Sequence, residues 1–146
     1  MRHLLDVNVI VGVLRTDSDL HTVTREWFLS TAGSTDVVLA LPETLAAAVR
    51  VITNDRVWKQ TPTVTEATVF VQALVEGAAI DVIGSSPEAW AQFQSTVTAF
   101  DARHRDVPDA LLVAQAIAID AELVTCDKRL ATYPGVTVRV LSTDPA

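Results

Sequence analysis

The chain has 146 residues, 49% hydrophobic and 20% charged, which is enough to bury a core as one domain without disulfides or a structural metal. A net charge of −7 excludes a histone-like or arginine-rich nucleic-acid coating protein, and the single Cys126 excludes both an intramolecular disulfide framework and a Cys/His zinc cluster. No apolar stretch approaches the roughly 20 residues of a membrane span and the amino terminus shows no signal-peptide pattern, so a cytoplasmic protein is expected.

In chain order, the apolar period switches between short continuous runs and helical spacing, the pattern of an α/β protein with a mostly parallel central sheet of about five strands. Residues 2–6 read as the first strand and 20–31 as a helix. Residues 37–41, Val37-Val-Leu-Ala-Leu, are apolar throughout, as a sheet covered on both faces requires. A helix over 42–53 starts with Pro42 in its first turn, 54–63 reads as irregular, and a helix over 64–76 leads to a strand at 79–83. Ser86-Pro87-Glu88 is an N-cap followed by proline and opens a helix over 87–103; Pro108 opens another over 108–120. Strands at 122–126 and 136–141 follow. No repeat or interdomain linker interrupts the chain, so 1–146 is expected to be a single domain, with 141–146 as a flexible tail.

Four acids stand at strand exits or helix entries: Asp6 in Asp6-Val-Asn8, Glu43 in Pro42-Glu43, Asp109 in Pro108-Asp109, and Asp127 after Leu123-Val-Thr-Cys. In a parallel α/β sheet such positions converge on the crevice beyond the carboxyl ends of the strands. Acids gathered there without a lysine repel one another unless a hard divalent cation such as Mg²⁺ or Mn²⁺ neutralises them. Each acid taken alone reads equally well as an N-cap or a first-turn residue stabilised by the helix dipole. Asn8 stands beside the first acid and Thr125 two residues before the last, where either could orient a ligand. Asp106 could join the cluster, or could be a solvated loop acid beside Arg103 and Arg105.

Together these motifs resemble the PIN-domain ribonucleases, and especially the VapC-type toxins of prokaryotic toxin–antitoxin pairs. The similarity runs along nearly the whole chain: a first strand ending in Asp-x-Asn, a Pro-Glu opening the helix after the second strand, Asp109-Ala110-Leu-Leu-Val-Ala opening a late helix, and Leu-Val-Thr-x-Asp at the fourth strand. Each motif is short, and specificity comes from their order and spacing. Val7 stands where a small polar residue is commoner in that family.

The resemblance implies a single PIN-like domain in which Asp6, Glu43, Asp109 and Asp127 are catalytic and hold Mg²⁺ or Mn²⁺, with Asn8 and Thr125 in support. It implies endoribonuclease activity on a structured RNA such as tRNA or rRNA, by attack of activated water that leaves a 5′-phosphate and a 3′-hydroxyl. It also implies a homodimer and a cognate antitoxin. The basic residues flank the predicted ligands: Arg50, Arg56 and Lys59 after the Glu43 helix, Arg103, His104 and Arg105 before Asp109, and Lys128 and Arg129 after Asp127. Arg56, Lys59, Arg103, Arg105 and Lys128 are the candidates to grip RNA phosphates, against the alternative that they are solvated charges paired with nearby acids. Trp58 is a candidate base-stacking residue. The histidines lack metal-ligand spacing. No glycine-rich phosphate loop is present, and a haloacid-dehalogenase phosphatase would need an acid where Asn8 stands. The remaining rival is a catalytically silent PIN-like module that binds RNA or protein.

Overall fold

In the computed structural model, which describes residues 1–144, five strands form one parallel sheet in the order β3-β2-β1-β4-β5: β1 (Arg2–Leu5), β2 (Val37–Ala40), β3 (Asp81–Val82), β4 (Glu122–Thr125) and β5 (Val138–Val140). The sheet grows outward on one side from β1 to β3 and then resumes on the other side of β1 with β4 and β5. The strand order therefore reverses at β1, and in open α/β sheets the crevice at such a switch point is where ligands bind.

Alternate strand residues face opposite layers. Leu5, Val38, Ala40 and Val124 pack with α1 (Val7–Leu14), α2 (His21–Ala32), α3 (Pro42–Ile52) and α4 (Val64–Gly77). Leu4, Leu39 and Leu123 face the opposite layer with Ala110, Val113 and Ala116 of α6 (Asp106–Ala118), against which α5 (Pro87–Phe100) lies. Both faces of the sheet are covered, which is why β2 carries apolar residues without alternation.

Helix α1 is the element that periodicity did not reveal. Its sequence, Val7-Asn-Val-Ile-Val-Gly-Val-Leu14, is rich in β-branched residues with low helix propensity, and is apolar apart from Asn8. A helix this apolar is stable only when buried, and Val9, Ile10, Val11 and Gly12 are buried. Asp6 starts it by accepting the Val7 N–H at 2.7 Å. Gly12 lets α2 approach: a Cβ there would lie 2.7 Å from Thr24 Oγ1 and 2.8 Å from its Cγ2. Alanine gains up to ~1 kcal/mol in helix propensity over glycine, but overpacking costs about 1–3 kcal/mol. Gly12→Ala is therefore expected to lower stability in urea unfolding; an increase would show that α2 yields freely.

Most element limits shift by one or two residues, the strands expected at 79–83 and 136–141 shorten to Asp81–Val82 and Val138–Val140, and three differences have an evident physical cause. Helix α5 stops at Phe100 because Asp101 adopts a left-handed conformation (φ 50°), short of the predicted 103. Helix α6 begins at Asp106 rather than Pro108, so Pro108 occupies its third position, where the missing N–H costs no helical bond. Leu141, placed at the start of the predicted tail, is buried and donates its N–H to Thr125 O at 2.8 Å, so the ordered chain continues past β5; Pro145 and Ala146 lie outside the described residues. Among the described residues no helix is long and apolar enough to cross a membrane.

Candidate functional site

At the carboxyl end of β1, Asp6 is buried and held by three donors: its Oδ1 accepts from Val7 N–H, and its Oδ2 accepts from the Thr125 hydroxyl at 2.6 Å and from Asn8 Nδ2 at 3.0 Å. Thr125 ends β4, beside β1. Its hydroxyl also accepts from Asn8 Nδ2 at 3.2 Å and from the Asp127 N–H at 3.0 Å. Asn8 Oδ1 accepts from the Cys126 N–H at 2.9 Å, which settles which end of the amide is oxygen. One hydrogen-bonded unit of Asp6, Asn8 and Thr125 thus ties the exits of β1 and β4 together.

Asp6, Glu43 and Asp109 line one groove of about 350 Å³, together with Val7, Leu41, Thr44, Ala47, Arg50, Ser85, Pro108, Leu111 and Leu112. Glu43 stands exposed in the first turn of α3 and Asp109 half-buried at the start of α6, so three separate elements deliver the carboxylates. Asp127 caps the 3₁₀ turn Lys128–Thr132 and adjoins the cluster from the β4 side.

The electrostatics match like charges held near one another. Burial pushes the Asp6 carboxyl above the usual carboxylate range, against the lowering effect of its hydrogen bonds, and nearby Asp127 adds to the rise. Asp109 is also raised, first by burial and then by the charge of Asp6. Asp127 is lowered, chiefly by hydrogen bonds from Arg129. Cys126, beside Asp6, has its thiol pushed up to about 11 by burial and so is no nucleophile near neutral pH.

The donor set is all oxygen and suits a hard cation such as Mg²⁺, which takes one or two carboxylates directly and keeps several waters. Among the described residues no three His, Cys, Asp or Glu side chains stand close enough together to hold a metal ion between them.

The predicted basic rim is only partly assembled. Arg105 lies near enough to Asp127 to help depress it. Arg103 pairs with Asp101 at 2.7 Å, Lys128 pairs with Asp144, and Arg56 and Lys59 stand exposed between α3 and α4. Arg50, one of the basic residues after Glu43, lines the groove itself. Its spacing of seven from Glu43 on α3 puts both on one helix face, a signal present in the sequence. Trp58 is committed elsewhere: its indole N–H donates to Val51 O at 3.0 Å, and the Arg15 guanidinium covers its ring at 4.3 Å.

The PIN domain family model matches residues 3–136, the span that contains every one of these acids. The chain belongs to the PIN domain family. Within it, the chain is 31% identical over 130 residues to the VapC ribonuclease Mb2897 of Mycobacterium bovis, covering 88% of each protein. It is 26% identical over 133 residues to ribonuclease VapC31 of Mycobacterium tuberculosis, covering 91% of this chain and 94% of the other. The fold matches that of VapBC2 from Rickettsia felis bound to a promoter DNA fragment, with a TM-score of 0.74 at 14% identity over 96% of this chain and 98% of the other. This PIN domain is thus of the VapC ribonuclease type, as its motifs suggested.

Proposed function

We propose that this PIN domain is a divalent-metal-dependent endoribonuclease, the toxin of a toxin–antitoxin pair, with Asp6, Glu43, Asp109 and Asp127 as its catalytic acids. The observation that carries this reading is the groove into which β1, α3 and α6 deliver three of those carboxylates. Asp6, Glu43, Asp109 and Asp127 are the residues that would hold Mg²⁺ or Mn²⁺, which would supply an activated water and offset charge on the phosphoryl oxygens. A carboxylate of the set that is not ligating the cation is suited to accept the water's proton. Thr125 and Asn8 fix the Asp6 carboxylate so that it need not reorganise during the reaction. Water attacks phosphorus, the bond to the 3′ oxygen breaks, and that oxygen takes up a proton, leaving a 5′-phosphate and a 3′-hydroxyl.

Arg50, which lines the groove, is a cation placed to meet a substrate phosphate, with Arg105 on the Asp127 side. Arg56, Lys59, Arg103 and Lys128 form an outer set that would act by long-range attraction of the polyanion. A structured RNA is the substrate class this reading favours: a relative of the same fold, VapC20 of Mycobacterium tuberculosis, is described as a sarcin–ricin loop cleaving toxin. Solved VapBC complexes of the same fold support a protein antitoxin as partner, and a cytoplasmic homodimer completes the proposal.

The test is incubation of the purified protein and its Asp6→Asn variant with total cellular RNA, with Mg²⁺, Mn²⁺ or EDTA, and mapping of new 5′ ends. Discrete 5′-phosphate ends that need both metal and Asp6 are expected. A 2′,3′-cyclic phosphate product would show that the ribose hydroxyl attacked. Binding without any cleavage would favour the silent module.

A further inference from the structure

Arg129 makes contacts that an ordinary surface arginine does not. Its Nε and Nη2 clamp the Asp127 carboxylate at 2.7–3.1 Å, its backbone N–H donates to Asp127 Oδ1 at 2.9 Å, its Nη1 lies 3.5 Å from Asp106 Oδ1, and its Nη2 lies 3.8 Å from Asp109 Oδ2. One guanidinium therefore touches three carboxylates from two elements, α6 and the turn after β4. Two of the three, Asp109 and Asp127, belong to the proposed catalytic set.

We propose that Arg129 is a built-in rival of the divalent cation: it holds the Asp127 and Asp109 carboxylates through its guanidinium and must give up at least part of that grip when the cation binds. This inference rests on the metal-dependent reading above and adds a residue that sets how readily the cation enters. The guanidinium takes the paired edge of the Asp127 carboxylate with two N–H donors, the edge through which a carboxylate grips a partner most strongly. Its positive charge also stands close to any divalent ion bound among the same acids and repels it. The side chain has room to leave, because it is 55% exposed and springs from a short surface turn. Exposed pairs of this kind are individually weak, which makes the grip reversible.

If the arginine merely capped the turn, Arg129→Lys, which keeps the charge but loosens Asp127, would bind the cation no more tightly than wild type. Competition predicts the opposite sign. Mn²⁺ titration of the full-length protein, followed by calorimetry or by electron paramagnetic resonance of free Mn²⁺, is expected to give about tenfold tighter binding for Arg129→Ala than for wild type. Arg129→Lys keeps the charge but loses the planar two-pronged contact, so it is expected to bind Mn²⁺ more tightly than wild type by a smaller factor. If Arg129→Ala does not fold, the sign for Arg129→Lys decides. Equal or weaker Mn²⁺ binding by the variant, with wild type binding normally, overturns the competition and leaves the metal-dependent reading intact. No Mn²⁺ binding by either protein overturns both.

Discussion

Asp109→Asn is expected to abolish RNA cleavage, by at least ~100-fold in rate, while slightly raising the melting temperature of the metal-free protein. The two effects have one cause. Asp109 is pushed above its ordinary range by burial and by Asp6, with Asp127 and Asp106 adding to the rise and Arg129 opposing it. A carboxyl raised on folding favours the folded state fully below its unfolded pKa, and that contribution is lost as pH rises through the folded value. The amide carries no such penalty, so the variant's advantage should grow as pH rises through the acid range and level off above it. Solvent screening at this half-exposed site keeps the gain to about 1–2 °C. Added Mg²⁺ or Mn²⁺ should reverse the ranking, because only wild type offers the ionised oxygen. Paired thermal melts and cleavage assays check this; a variant that melts below wild type at neutral pH without metal would show that Asp109 is held by favourable contacts rather than strained by its neighbours.

The same tension explains how much of the site was legible in the sequence. Acids at strand exits and helix entries occupy positions fixed by topology, so Asp6, Glu43 and Asp109 could be assigned to one crevice once the strands were recognised, and the groove joins them. Asn8 and Thr125 followed from their spacing around the ends of β1 and β4. Side-chain pairing across elements was not legible. Arg129 reads as one of several basic residues near an acid, and only the packing of α6 beside the turn after β4 brings Asp106 and Asp109 within its reach. The pairing of the outer cations was not legible for the same reason: proximity in sequence to a ligand does not set where a long side chain lies, and Arg103 meets Asp101 while Lys128 meets Asp144. In the fold, α1 escaped notice because burial, not propensity, makes Val7–Leu14 helical, and a β-branched apolar run gives no helical period to find.

At the opposite end of the sheet, Glu122→Leu is expected to cost about 3–5 kcal/mol, the largest loss of stability from any single polar change considered. His3 and Glu122 sit in register on β1 and β4, both buried, with His3 Nδ1 2.7 Å from Glu122 Oε2. His3 Nε2 lies 3.2 Å from Asp36 Oδ2, Trp27 packs edge-on against the imidazole, and Arg139 of β5 donates to Glu122 at 3.0 Å. Carboxylates only accept, so an imidazole nitrogen that carries a proton finds a carboxylate oxygen on either side of the ring. Leucine at 122 would leave that buried ring facing an apolar side chain. Asp36 cannot replace the lost partner, since it is drawn first to the amino-terminal ammonium and then to His3; those contacts hold its carboxyl down to about 2. The Asp36 arm therefore contributes above its ordinary pKa and is lost only as pH falls toward 2. His3→Leu should be destabilising in the same way, because it strands Glu122 with Arg139 alone. The double variant His3→Leu, Glu122→Leu removes both polar partners together and fills the space with apolar atoms, so it should be far less damaged than the sum of the two single changes. Additive losses in urea unfolding would mean that the pair contributes through packing rather than through its polar contact.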